Sequence, residues 1–361
     1  MDKVKEDRPD EGFIKTLKIL APGTPLRDGL ENVLRAKTGA LIVVGDGAEV
    51  MEITEGGFET DCEYTPNNLY ELAKMDGAIM LNRSAQRILR ANTQLVPMST
   101  IPSQETGIRH RTAERVSKQT GELVISISQR RGVITLYKGQ VKYVLRDIGV
   151  ILTKANQAIQ TLEKYKTVLD KALANVTILE FEDVVSVFDV VKVVQRLEMV
   201  LRIVKEIEIY ICELGNEGRL ISMQLEELVS NVPDEGTMLI KDYYVPHGEV
   251  TVEGIKHIMA NWTSEELLDL TVISRALGYG GTHSSLDLPV TPKGYRILQK
   301  IPRLPNTVIE NLVVTFGIFP KVLQATIEEL DEVEGIGEVR ARAIKDGVKR
   351  LREQVLLERH M

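Results

Sequence analysis

The sequence predicts a multidomain protein: an α/β segment with a mixed sheet, then all-α segments to the C-terminus. Its 361 residues exceed one ordinary domain. Over residues 1–147 short branched apolar runs alternate with helical stretches, the pattern of strands and helices packed in layers. At Ile148 this gives way to apolar residues at helical spacing with little glycine, as far as Tyr244.

In the first segment "ALIVVG" (40–45), "AIML" (78–81), "LVISIS" (123–128) and "VITLY" (133–137) read as strands. Between them "PNNLYELAKM" and "TAERVSKQTG" read as helices, the second closed by Gly121. "YKGQVKYVL" (137–145) suggests a hairpin turning at Lys138–Gly139. In the second segment Ile148, Ile151, Ala155, Ala158, Leu162, Tyr165, Leu169 and Ala172 step by three or four, one apolar helix face. Residues 190–214 continue in that style, and "GNEG" (215–218) and "VPDEG" (232–236) break the run. Loop signals follow at Pro246, "GYGGTHSSLDLP" and "TPKGYR", and short helices return from Ile301. The expected divisions are 1–147, 148–289 and 290–361.

Hydrophobic residues make up 43% and charged residues 27%, the balance of a packed globular protein. A net charge of −7 excludes a surface that is basic throughout but not a local basic site. Two distant cysteines, Cys62 and Cys212, make neither a disulfide framework nor a zinc cluster and suit a reducing compartment. The polar start "MDKVKEDRPDEG" and the absence of an 18-residue apolar run predict a cytoplasmic protein, neither secreted nor membrane-spanning.

Near the C-terminus, "VEGIG" sets Gly335 and Gly337 around the apolar Ile336, with a helix starting near Glu338. Glycines permit a tight turn and close backbone approach, and the helix start presents free N–H groups to an anion. Residues 335–361 hold seven Lys or Arg against four Asp or Glu, and Arg340, Arg342 and Lys345 lie close to that start. This resembles the helix-hairpin-helix motif, which grips DNA phosphates through backbone amides without reading bases. The bland alternative is a glycine turn in a small helical domain. "KIPRLPNTVIENLVVTFG" (300–317) reads as a degenerate first hairpin, suited to packing rather than contact.

Neither a P-loop nor a G-x-G-x-x-G after a strand is present. Instead, Asp76–Gly77–Ala78 stands directly before a strand, where a carboxylate can hold a divalent metal or accept a proton. "TGIRHRT" (106–112) gathers Arg109, His110 and Arg111, three potentially cationic side chains, with Thr112 beside them. "SQRRG" (128–132) adds Ser128, Arg130 and Arg131 at the next strand end. Each alone has a bland reading, a turn aspartate or a solvated charge run. Together, a carboxylate and cationic loops at strand ends suit metal-assisted chemistry on a polyphosphate.

These stretches, Asp76–Gly77–Ala78 and Arg109–His110–Arg111, resemble the motifs of the diadenylate cyclase family. With the helical middle and the terminal "VEGIG", the whole chain is similar to its bacterial DNA-integrity-scanning branch. The resemblance implies an N-terminal α/β cyclase domain (1–147), a helical linker domain (148–289) and a C-terminal helix-hairpin-helix domain (290–361). It implies condensation of two ATP into cyclic di-AMP and two pyrophosphates with Mg²⁺ or Mn²⁺. It further implies regulation by branched or junction DNA within a DNA damage checkpoint. A homo-octamer, contact with recombination or repair proteins, and a cytoplasmic, nucleoid-associated location belong to the same expectation.

Carried over by residue, Asp76 binds metal and helps deprotonate a ribose 3′-hydroxyl. Gly77 and Leu95 line the adenosine site. Ile108, Arg109, His110, Arg111 and Thr112 form a phosphate-holding loop joined by Ser128 and Arg131, with Arg109, His110 and Arg111 also counted in the catalytic group. Gly335, Ile336, Gly337, Arg340 and Arg342 meet DNA. Ile108 stands where many relatives have threonine, and Gln129 where some have arginine. Two other readings stay open at this point. One is a non-catalytic repair scaffold that binds ATP as a sensor; the other is a nucleotidyltransferase acting on nucleic-acid ends, against which counts the lack of further acidic ligands near Asp76.

Overall fold

The computed structural model of the chain describes residues 11–246 and 250–358. They fall into two compact units: one takes residues up to 157 with 208–222, the other 158–207 with 223 onward. Among the described residues no helix is long and apolar enough to cross a membrane.

The first unit is built on one mixed sheet. Its strands are β1 (Ala40–Val44), β2 (Thr54–Glu55), β3 (Phe58–Glu63), β4 (Ala78–Leu81), β5 (Arg87–Leu95), β6 (Leu123–Ser128), β7 (Val133–Lys138) and β8 (Val141–Val144). The order is β2-β5-β4-β1-β6-β7-β8, with β3 also on β5. Only β1 and β4 run parallel. Both faces of the central strands are covered. Ile42, Val44, Ile79 and Ile125 pack with Phe13, Leu17, Leu30 and Leu69 on one side. Leu41, Val43, Met80 and Val124 pack with Val50, Ala113 and Val116 on the other. That two-sided burial is why these strands read as unbroken apolar runs.

The four expected strands are present, and the hairpin turns at Gly139–Gln140, between the paired Lys138 and Val141, one residue later than the sequence suggested. Strands β2, β3 and β5 were not expected. β3, "FETDCE", has mostly exposed side chains, so its pairing rather than its composition makes it a strand. The helix expected from Thr112 starts earlier, at Ile108, and runs to Thr120, with Gly121 at φ 71° ending it. The Ile108–Thr112 segment is therefore a helical first turn and not a loop. Gly107 provides the extended N-cap, and the Arg111 N–H donates to its carbonyl at 2.8 Å.

Two long helices, Ile148–Glu182 and Val187–Leu214, run from one unit into the other. On the first, Ile151, Ala155, Leu162, Leu169 and Ala172 are buried as expected, whereas Tyr165 is exposed and Ile159 is buried where Ala158 was expected. "VPDEG" does mark a break: one helix ends at Val229 and these residues open the next, Val232–Tyr243, with proline at a first-turn position that needs no N–H. In the second unit Ile297, Ile301, Val308, Ile309, Leu312, Phe319, Leu330, Ile336 and Ile344 form a core under the C-terminal helices. The degenerate hairpin is thus packing, and Asn311 Nδ2 donates to the Glu334 carbonyl at 2.9 Å, tying it to the second hairpin.

Candidate active site

Strand register assembles the site. The pairs Ala40↔Ile127, Ile42↔Ile79, Ala78↔Thr93 and Ser128↔Val133 bring separate segments to one sheet edge. There lie Gly39 before β1, Asp76–Gly77 before β4, Asn92 in β5 and the 129–132 turn after β6.

Gly77 cannot be replaced without moving backbone. A Cβ there would lie 2.3 Å from the Asn92 carbonyl carbon and 2.7 Å from Thr93 N. Asn92, at φ 55°, bulges β5 inward, and its Oδ1 accepts the Gly77 N–H at 3.1 Å. Thr93 Oγ1 donates to the Ala78 carbonyl at 3.0 Å. The Asp76 backbone is so pinned against β5, while its carboxylate is fully exposed and meets Arg109 Nη2 at 3.3 Å. Gly39 keeps that guanidinium's place open, since a Cβ there would lie 2.6 Å from Arg109 Nη1.

The triplet does not present three charges to one anion. Consecutive residues on a helix point about 100° apart, and each goes its own way. Arg109 reaches Asp76. Arg111 folds back, Nε donating to the Glu105 carbonyl at 3.2 Å and Nη2 to that of Thr106 at 3.5 Å. His110 Nδ1 lies 3.0 Å from Tyr137 Oη, whose hydroxyl donates to Glu105 Oε1 at 3.0 Å. Lys142 pairs with the same carboxylate. Burial pushes the His110 pKa down, with Glu105 acting the other way, so the ring is neutral near pH 7. Burial alone would raise Glu105, but the hydrogen bonds from Lys142 and Tyr137 hold it below the usual carboxylate range.

No side chain caps the helix at Gly107, leaving its first N–H groups available to an anion. Ile108 is 83% exposed beside them, so the missing threonine hydroxyl leaves those amides in place. Thr112 is half-buried one turn on. In the β6–β7 turn Ser128 Oγ accepts the Arg131 N–H at 3.2 Å, and Arg131 is close enough that its charge is felt at both His110 and Tyr137. Leu95 is buried in the sheet core, so it forms wall rather than an open contact.

Among the described residues no three His, Cys, Asp or Glu side chains cluster as a metal cage. One open carboxylate instead fits a divalent ion that arrives on phosphate oxygens, as Mg²⁺ commonly does. Gly39, Asn92, Glu105 and Tyr137 were not singled out in the sequence. Asn92 sits unmarked inside an alternating strand, and Tyr137 reads as ordinary strand core.

At the C-terminus, Gly335 has φ 82°, a left-handed backbone that favours glycine. Gly337 has a negative φ and open space where a Cβ would be, its nearest atom being Asp331 Oδ1 at 3.9 Å. Ile336 is buried in the core. Arg340 folds onto the Gly335 carbonyl and Arg342 pairs with Glu338 at 2.5 Å, both on the exposed side. Lys345 donates to the Leu323 and Ala325 carbonyls and braces the preceding helix end.

Comparison with known proteins covers most of the chain. Residues 27–141 match the DisA bacterial checkpoint controller nucleotide-binding family, residues 145–286 the DisA bacterial checkpoint controller linker region, and residues 319–347 the helix-hairpin-helix motif. The DNA integrity scanning protein DisA of Carboxydothermus hydrogenoformans is 64% identical over 345 residues, 96% of this chain and 98% of the relative. That of Symbiobacterium thermophilum is 60% identical over 356 residues, 99% of this chain and 100% of the relative.

Proposed function

The chain belongs to the DisA family of DNA integrity scanning proteins and is a diadenylate cyclase with a DNA-binding hairpin motif; we propose that its Asp76 edge condenses two ATP into cyclic di-AMP and two pyrophosphates. The observation that carries this is the juxtaposition of an exposed carboxylate, Asp76, with an uncapped helix start bearing Arg109. In each half-reaction a ribose 3′-hydroxyl attacks the α-phosphorus of the other ATP and pyrophosphate leaves. Asp76 takes the hydroxyl proton and would help hold a divalent ion, Mg²⁺ or Mn²⁺, brought by the nucleotide. That ion supplies charge neutralisation on the phosphates. The helix amides at 108–110, Arg109 and the Arg131 turn receive phosphate oxygens. Gly77 and the wall at Leu95 flank the adenosine.

Because one chain carries one Asp76 edge and the product is symmetric, two copies meet face to face across a two-fold axis, within a homo-octamer. We take 1–147, 148–289 and 290–361 as cyclase, linker and DNA-binding segments. Branched or junction DNA, held by amides near Gly337 with Arg340 and Arg342, regulates the reaction, and repair proteins are the expected company. The test is the full chain with ATP and Mg²⁺ or Mn²⁺, analysed for cyclic dinucleotide and pyrophosphate. Asp76→Asn is expected to lower the rate at least ~10²-fold; turnover near wild type would sink the reading. Light scattering that returns the mass of one chain under active conditions would sink the assembly.

A further inference from the structure

The pairing of β4 with β5 begins at Ala78↔Thr93, and among the described residues no ladder bond reaches Asp76, which lies in a bend two residues earlier. A side chain extends the hold. Asn92 Oδ1 accepts the Gly77 N–H at 3.1 Å, which fixes the peptide plane joining Asp76 to Gly77. The bulge that carries Asn92 is gripped on both flanks. On the β4 side, a Cβ at Gly77 would lie 2.5 Å from Asn92 Cα. On the opposite side, a Cβ at Gly57 would lie 2.6 Å from the Ala91 carbonyl oxygen and 3.0 Å from that of Asn92. Gly57 stands between β2 and β3, whose pairs Glu55↔Gln94 and Phe58↔Ala91 step over Asn92 and Thr93.

Asn92 breaks the rules of its own strand. Asparagine is a poor strand residue, and a φ of 55° is left-handed backbone in the middle of β5. Its side chain lies on the exposed side, where one hydrogen bond adds little to stability. Strain with so small a return in stability points to what the strained residue holds. Here that is the backbone under a carboxylate that is fully exposed and meets Arg109 at a loose 3.3 Å. Neither solvent nor that contact can fix the direction in which Asp76 points, so the backbone must.

We infer that Asn92 is a positioning residue for cyclisation: its side-chain carbonyl, seated by the gap at Gly57, holds the Gly77 N–H and so aims the Asp76 carboxylate. This rests on the cyclase reading of Asp76 above. Asn92 acts through Asp76, so its loss slows the chemical step and leaves ATP binding in place.

The test compares two variants of the full chain with the wild type. Asn92→Gly keeps the left-handed backbone and removes the acceptor; Asn92→Asp keeps both. Hydrogen exchange, read by mass spectrometry on peptides ending either side of Gly77, reports the grip itself. In Asn92→Gly the Gly77 amide should exchange about fivefold faster, and kcat should fall ~10–100-fold. Its KM for ATP and its denaturation midpoint should stay close to wild type. Asn92→Asp should restore slow exchange and most of kcat. Unchanged exchange in Asn92→Gly would show that no grip exists, and faster exchange with wild-type kcat would show a grip that does not aim Asp76; either overturns the inference. So does a kcat loss shared by Asn92→Asp, or one accompanied by a raised KM and a lowered midpoint, the mark of a general loosening. If exchange behaves as expected but the wild type makes no cyclic dinucleotide, the cyclase reading has failed, and the aim with it.

Discussion

Two charge clusters in this molecule are built to opposite rules. In the second unit Glu180, Asp242 and Arg296 are at most 2% exposed. Arg296 pairs with Glu180, donates to Thr177 Oγ1 at 3.0 Å and lies 3.5 Å from Glu235. Tyr243 donates to Glu180 at 2.7 Å, and Asp242 accepts the Gly294, Tyr295 and Arg296 N–H groups at 2.7, 2.6 and 3.0 Å. In the first unit Asp76 is fully exposed and Arg109 meets it at a loose 3.3 Å. Buried charge must be matched or the fold fails; exposed charge is screened and contributes little to stability. The first cluster holds the structure, and the second leaves its bonding capacity for a ligand.

The largest expected effect breaks the buried cluster. Arg296→Ala strands Glu180 without its partner and should cost ~3–5 kcal/mol in chemical denaturation. Asp76→Asn, expected to slow cyclisation, should leave the denaturation midpoint where it was. Equal midpoints for both variants would erase the contrast.

Two glycines at the open site sharpen it. At Gly77 a methyl meets the backbone of β5, so Gly77→Ala should cost ~1–3 kcal/mol and displace Asp76. At Gly39 a methyl meets chiefly the movable end of Arg109, at 2.6 Å, with the Ile127 carbonyl oxygen next at 3.3 Å. Gly39→Ala should therefore lower cyclase rate with little change in stability, as denaturation and turnover measured together would show.

A smaller effect separates the hairpin glycines. Gly335→Ala forces a left-handed φ of 82° on an L residue and should cost ~1–2 kcal/mol. Gly337→Ala has room and should be silent in stability. If amides there meet phosphate, Gly337→Ala still weakens DNA binding, and wild-type affinity falls steeply with salt whatever the base sequence. Unchanged junction binding by that variant would place DNA elsewhere.

The smallest effect is a pH dependence from the buried cluster. Burial, reinforced by Glu180, pushes the Asp242 carboxyl up to about 7 from 3.8. The folded state then holds a proton that the unfolded state has released, so this contribution is present at low pH and lost as pH rises through 7. Unfolding free energy should drop by about 1 kcal/mol between pH 6 and pH 8, and Asp242→Asn should flatten that slope.

The sequence by itself determined the central strands β1, β4, β6 and β7, because both their faces are buried and their composition records it. It determined the long helices through their apolar spacing, and it marked Asp76–Gly77 and Gly335–Gly337 by chemistry at strand and helix ends. Only the tertiary structure decided that "FETDCE" is a strand, since an edge strand with a wetted face is made by its partner's hydrogen bonds. Only it decided that Arg109, His110 and Arg111 diverge, because that follows from a helix starting at Ile108 rather than after the triplet. Pairing register, which no local pattern encodes, set Asn92 under Gly77. Tertiary packing likewise brought Tyr137 between Glu105 and His110, and Arg296 onto Glu180 from 116 residues away. A side chain's spacing along the chain reports how much of it is buried, but what it meets there depends on segments distant in sequence.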